Sequence, residues 1–212
     1  NYGRIELTNA SAYSVNATLT VADGSLVNAP DGVIVALHGT AGGVRTLDAQ
    51  LDNQGTLNLE DDSLTLSRSN AQHLNSGAIQ LVGGDLTINQ SGDNPSFTNT
   101  GQITIDADRQ FYVAGGTFQQ QAGSFSGEGM LAFSSVDAHF TTDFSNAETG
   151  LTANNSILHG PGTFTNALGK TLTLTSSTIN ADLVNAGLLE AHRIVTFNGA
   201  LSTTTDSTLR VE

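Results

Sequence analysis

A short motif, Phe or Leu, any residue, Asn, any residue, Gly, then alternating apolar residues, returns down this chain. It reads LDNQGTLNL at Leu51 to Leu59, SFTNTGQITI at Ser96 to Ile105 and DLVNAGLLEA at Asp182 to Ala191. Variants are HLNSGAIQL from His73, SFSGEGMLAF from Ser124, DFSNAETGL from Asp143 and TFTNALGKTLTL from Thr163. Self-similarity at a period of about 20 to 50 residues marks a repeat architecture. Between glycines, the steps Gly32, Gly55, Gly77 and Gly101 are 23, 22 and 24 residues; Gly101 to Gly129 is 28, and Gly169 to Gly187 is 18. Units this short cannot bury a core alone, so they must stack on one another.

Each unit reads as strand, turn, strand, turn. After Gly55, Leu57 and Leu59 fall on one face of a strand; EDDS makes a turn, and Leu64-Thr65-Leu66 resumes the alternation. The same order returns with Ile79 and Leu81, Gly83-Gly84-Asp85, then Leu86 and Ile88. It returns again with Ile103 and Ile105, Asp106 to Arg109, then Phe111 and Val113. With the Phe/Leu-x-Asn segment as a third short strand, one unit is one rung of a β-solenoid. No stretch carries apolar residues at helical spacing, and Pro30, Pro95 and Pro161 sit beside turn residues. A β-sandwich also suits short strands between turns, but a sandwich has no reason to repeat its sequence.

The expected architecture is therefore all-β, a parallel β-helix of about nine or ten coils and about 45 Å long at the ~4.8 Å strand spacing. Residues 1–212 read as one solenoid segment, with 1–31 less regular. The opening NYGRIEL and closing STLRVE are both strand-like, so a longer repeat protein is expected around them. Stacking turns motif positions into columns. One expected column is Leu51, Phe97, Phe125, Phe144, Phe164 and Leu183; its companion is Asn53, Asn75, Asn99, Asn146, Asn166 and Asn185, with Gly127 substituting once. Buried amides need partners, so the asparagines are expected to form a structural ladder rather than a sugar or metal site.

The chain has no cysteine, which excludes a disulfide framework. Its formal net charge of -13, from 7 Lys+Arg against 20 Asp+Glu, disfavours nucleic acid and anionic membranes as partners. No apolar run approaches the length of a membrane span.

The run GTFTN, KTLTL and INADLVNAGLLEA resembles the degenerate repeats of bacterial autotransporter passenger domains and filamentous haemagglutinin-like adhesins, from about Gly32 to the end. The resemblance implies a right-handed parallel β-helix at the cell surface or released from it, serving attachment to host, surface or neighbouring cells. NAPDG at Asn28 to Gly32 does not match the Asn-Pro-Asn-Gly signature of the haemagglutinin secretion domain, which leaves the export route open.

Parallel β-helices also host polysaccharide lyases and hydrolases, which need paired carboxylates on an exposed face. The nearest clusters are Glu60-Asp61-Asp62 and Asp106-x-Asp108-Arg109, at comparable turns two units apart, where acids serve turn formation and solubility. His38-Gly39 and His159-Gly160 lack the companion motifs of pectin-degrading hydrolases. The histidines His38, His73, His139, His159 and His192 are scattered singly, without ligand spacing; His139 and His159 meet only if they lie on adjacent coils. GGDLTI at Gly83 to Ile88 is a fragment of the calcium-binding nonapeptide. No nucleophile elbow or phosphate-binding loop is present. Lys170, the only lysine, reads as a surface turn residue, and acceptor sequons fall at Asn9, Asn16, Asn89 and Asn154.

Outward positions carry uncharged polar residues such as Thr65, Thr87, Thr104, Thr173 and Thr175, and only Thr171 to Thr175 approaches the strict alternation of ice-binding faces. Flat polar faces suit weak, multivalent contacts with glycans or proteins, including a like chain. The expected function is a non-enzymatic adhesin or stalk segment of a secreted bacterial surface protein, with no catalytic, cofactor or metal residues and no membrane insertion. A polysaccharide-degrading β-helix enzyme is the alternative. Any binding site is expected where the repeat breaks, first in the interval from Gly101 to Gly129.

Overall fold

A computed structural model of the chain describes residues 1–160 and 162–212. Regular structure among these residues is strand throughout, and the parallel strands stack into a β-solenoid of about nine turns. Pro30 and Pro95 occupy turns or their margins, while Pro161 lies outside the described residues. Among the described residues no helix is long and apolar enough to cross a membrane.

Each coil has three faces. One coil runs through Gln72–Asn75 on the first face, Ala78–Leu81 on the second and Leu86–Asn89 on the third. The next continues through Ser96–Asn99, Gln102–Ile105 and Gln110–Ala114, each paired in register with its counterpart below. The long strands Ala17–Asn28 and Arg45–Asn53 run from the third face into the first, which joins those two faces into one 17-stranded sheet. A register irregularity between Thr20 and Ser25 bends the earlier strand around that corner. The second face is two sheets, of six and four strands, with a break between Ser124–Ser126 and Phe144–Ser145.

Alternation decides what lies inside. Burial in Arg45–Asn53 alternates without exception, and Leu57, Leu59, Ile79, Leu81, Ile103 and Ile105 are fully buried on the second face. Third-face columns run through Leu47, Leu66, Ile88, Val113 and Phe133 by register.

The motif asparagines form the expected ladder at the end of the first-face strands. Asn28 Nδ2 donates to Asn53 Oδ1 at 2.8 Å, Asn53 to Asn75 at 2.7 Å, Asn75 to Asn99 at 2.8 Å, and Asn99 to Gln120 Oε1 at 2.9 Å. Each of these amides also donates to a backbone carbonyl, as Asn53 does to Ala78 O at 3.0 Å. The four asparagines are completely buried, and the paired bonds satisfy groups that would otherwise be costly to bury.

The single column expected from the sequence is corrected to two. Phe97 pairs with His73 and Phe118, not with Phe125, and the ladder ends at Gln120, whose amide turns back onto Gly123 O. In the next coil Phe140 takes the register position of Gln120. The motif then reappears one face later: Asn146, Asn166 and Asn185 form a second ladder, with bonds of 2.7 Å, on the second face. Phe144, Phe164 and Leu183 align there, and the Phe125 ring lies 6.1 Å from that of Phe144. The 28-residue glycine interval has the same origin. A Cβ on Gly123 would fall on Gly101 O, so Gly123 is the stacked successor of Gly101, and the steps from Gly32 are 23, 22, 24 and 22.

Coils also shorten along the rod. Ladder partners are 25, 22, 24 and 21 residues apart in the first run and 20 and 19 in the second. The saving is made where the third face turns into the first. There the loops 67–71 and 90–95 give way to two-residue corners at 115–116, 135–136, 155–156 and 176–177. Each tight corner starts on a left-handed residue, Gly115 (φ 74), Ser135 (φ 58), Asn155 (φ 49) and Ser176 (φ 49), and in the first Gly116 (φ 61) is left-handed too.

Replacing Asn75 with Leu removes the acceptor of Asn53 and the donor to Asn99 while adding apolar volume. Stability is expected to fall by about 2 to 4 kcal/mol, since two buried polar groups lose partners. Urea unfolding followed by circular dichroism checks this; a leucine variant as stable as the parent would show that the amides are not needed.

Candidate functional site

Two features stand out from the repeat on the outer surface. The first lies on the first face past the ladder switch. Period-2 alternation places Asp137 and His139 on the same side of Asp137–Phe140, and register pairs His139 with His159 of Ile157–His159. Asp137 Oδ1 lies 3.3 Å from His139 Nε2 and 2.8 Å from His159 Nε2. The imidazoles stack with centroids 4.4 Å apart and planes 4° apart. Above them Asn180 Nδ2 lies 3.3 Å from His159 Nδ1, and Asn198 Nδ2 donates to Asn180 Oδ1 at 2.7 Å. Ligand-capable atoms of Asp137, His139 and His159 all lie within 4.8 Å of one another. The histidine side chains are 45% and 29% exposed, which leaves the cluster open to solvent. The adjacent-coil condition that the sequence set for His139 and His159 is therefore met; Asp137 was not foreseen.

The second feature is a groove of about 450 Å³ where the second face turns into the third. Asp108, Arg109, Gln110, Glu128, Gly129, Met130 and Thr152 line it. Five of its seven lining residues fall in the interval from Gly101 to Gly129, which proved not to be an insertion, and Met130 and Thr152 lie beyond it. Asp108 has a left-handed backbone (φ 63), and Arg109 reaches down to Asp85 Oδ1 at 3.9 Å and Gly83 O at 3.4 Å. The other acidic cluster, Glu60-Asp61-Asp62, occupies the same corner two coils below, as expected. Its acids tie loops together: Asp61 Oδ1 accepts from His38 N at 2.6 Å, and Asp62 Oδ1 from Ser63 N at 2.8 Å.

Asp62 also meets a charge that the sequence did not reveal as internal. Arg45 stands in a core column, paired in register with Leu64, and is 1% exposed. Its guanidinium donates to Leu37 O at 2.8 Å and His38 O at 2.6 Å, and Nη2 lies 3.3 Å from Asp62 Oδ2. These contacts offset part of the cost of burying the charge, while Nη1 is left without a hydrogen-bond partner among the described residues. His38 Nδ1 lies 3.8 Å from the same Asp62 oxygen.

The remaining histidines are placed differently. His192 lies 3.3 Å from Glu212 and 3.9 Å from Glu190 on the third face. His73 is internal, in the column of Leu51 and Phe97, and its Nδ1 accepts the Leu51 amide proton at 3.1 Å. Burial lowers its pKa to about 4. Of the sequons, Asn89 and Asn154 are exposed, whereas Asn9 is buried and donates to Tyr13 O and Gly42 O.

Comparison with protein families, curated proteins and solved structures returned no match.

His73 gives the rod an acid-sensitive point. Its folded-state pKa lies below the unfolded value near 6.5, so the unfolded chain takes up the proton first. The stability held above pH 6.5 is lost as pH falls towards 4, by on the order of 3 kcal/mol. His73→Phe leaves the Leu51 amide without its acceptor and is expected to be less stable than the parent at pH 7. That deficit should narrow or reverse by pH 4. Urea midpoints of both proteins at the two pH values check this; a constant deficit would mean that His73 is not the buried neutral group.

Proposed function

We propose that this chain is a non-enzymatic rod segment of an exported bacterial surface protein, serving as a stalk or as a multivalent adhesive surface for glycans or surface proteins. The observation that carries the reading is the regular spacing of uncharged polar side chains on the outer faces. Thr18, Thr46, Thr65 and Thr87 follow one another in register on the third face, and Thr152 stacks on Thr173 higher up. Column neighbours sit about 4.8 Å apart, one per coil. Such a row offers the same weak contact many times, which suits avidity. The resemblance to autotransporter and haemagglutinin repeats supports the same reading, as does the net charge of -13, which favours neither nucleic acid nor an anionic membrane.

Beads coated densely with the protein are expected to bind glycans on an array, or cells in an adhesion assay, far better than the free monomer. Thr65→Lys with Thr87→Lys should weaken that binding on the third face. Coated beads that adhere no better than blank beads would remove the adhesive part of the proposal and leave the stalk.

A second reading rests on the groove, where Asp108 and Glu128 bring two carboxylates to one surface beside Arg109. Acid and base groups flanking a sugar linkage are what glycan cleavage requires. Incubation with acidic and neutral polysaccharides, followed by new reducing ends or unsaturated products, separates the two. Turnover lost in Asp108→Asn or Glu128→Gln would replace the adhesive reading with an enzymatic one; no turnover on any polymer would retire the groove as a catalytic site.

A further inference from the structure

The geometry points to a binding site for a divalent transition metal ion of the zinc class, formed by Asp137, His139 and His159 on the outer first face. Two imidazole nitrogens and one carboxylate oxygen are the donor set that such borderline ions prefer over magnesium or calcium. An ion held about 2.0 to 2.2 Å from each donor requires the donors to lie roughly 3 to 3.5 Å from one another. The carboxylate oxygen already lies 3.3 Å and 2.8 Å from the two Nε2 atoms. The ligand-capable atoms are all within 4.8 Å of one another, and the two stacked rings turn out of their parallel arrangement about the side-chain bonds to bring both Nε2 lone pairs onto one ion.

The backbone supplies the preorganisation. Asp137 and His139 are two residues apart on one strand, and His159 is the register partner of His139 on the next. These strands are bonded through the whole overlap, with Asp137 paired to Ile157 and Ala138 to Leu158, so no loop has to close around the ion. Three protein ligands on an open face leave further coordination positions for water or an external donor. Because the ligands come from two coils, an ion there clips the coils together and stabilises the folded rod in proportion to its binding.

Asn180 is the positioning residue. Its amide nitrogen faces His159 Nδ1 at 3.3 Å, a contact that suits the tautomer with the ring proton on Nε2, directed at Asp137. Metal binding at Nε2 requires the proton to move to Nδ1, where it needs an acceptor. Rotating the Asn180 amide by half a turn presents Oδ1 to that proton. The amide of Asn198, now bonded to Asn180 Oδ1 at 2.7 Å, can reverse in the same way. A metal ion therefore inverts the polarity of a short amide row that extends two coils beyond the site.

The test is titration of the purified full chain with zinc chloride by calorimetry, with thermal unfolding read in parallel. One zinc per chain is expected, with a raised unfolding temperature. His139→Ala and His159→Ala should each weaken binding at least about tenfold and abolish the thermal shift. Asn180→Leu should weaken it by roughly 10-fold, whereas Asn180→Asp, a stronger acceptor for the Nδ1 proton, should tighten it. Circular dichroism of each variant should be unchanged, since these side chains lie outside the core. Zinc binding of equal affinity in the His139→Ala, His159→Ala double variant would assign it elsewhere, with His192 and its glutamates the next place to look, and would overturn the proposal. So would the absence of binding to the parent protein.

Discussion

A fully buried asparagine amide in this rod has no water to turn to and no partner within its own strand. Its bonds to other amides are made by the coil above and the coil below, as Asn75 accepts from Asn53 and donates to Asn99. That requirement fixes the register of every coil it touches, because a slip of one residue would turn the amide outward and put an outward residue such as Asp52 or Thr98 in its place. It also makes the interior directional. The donors all point along the chain from Asn28 towards Gln120, an arrangement in which each bond polarises the next. Such a row must be ended deliberately, and the extra methylene of Gln120 does so: its amide accepts from Asn99 and turns back to Gly123 O in its own coil.

Ending one ladder leaves a corner to be filled, and phenylalanine fills it. Phe140 occupies the position next in register to Gln120. Its ring centroid lies 4.9 Å from that of Phe164 and 5.4 Å from that of Phe144, while Phe118 lies 5.0 Å from Phe133. Eight of the nine phenylalanines belong to this continuous aromatic cluster, which spans the coils where the amide row stops and restarts. The break in the second-face sheet falls at the same level. Burial of aromatic surface thus holds the rod together where backbone pairing on one face is interrupted.

Alternation and repetition made the fold legible in the sequence, because both are local and both recur. The column assignment was not legible by the same means. Phe-x-Asn looks identical on either face, and only the number of strands between motifs separates them. Asn99 and Asn146 are seven strands apart, one more than two complete three-strand coils. The site was half legible. His139 and His159 are separated by the 20 residues that also separate Asn146 from Asn166, so the local coil length brings them together. Asp137 then follows from period 2. Arg45 was hidden for a different reason: an arginine inside a strand reads as an outward residue, and its partners, Asp62 and two carbonyls, come from two loops whose paths alternation does not encode.

Stacking also decides which residues the outer faces can carry. Like charges on adjacent coils would sit about 4.8 Å apart and repel by about 1 to 3 kcal/mol at surface dielectrics. A chain of net charge -13 must therefore keep its acids out of register with one another. Among the described strands no register pairs two acidic residues. Asp52 lies between Val27 and Leu74, Asp137 between Thr117 and Ile157, and Glu190 between Thr173 and Arg210. Glu6 and Asp48 on strands likewise face Val35 and Thr20, and other acids gather at corners such as Glu60 to Asp62, where loops can splay and bond backbone amides. The neutrality of the threonine rows follows from this rule before any ligand is considered. Departures from it carry more information, and the clearest is a pair of histidines stacked in register over a shared carboxylate: two imidazoles at that distance tolerate each other when neutral, the state in which they bind a metal ion.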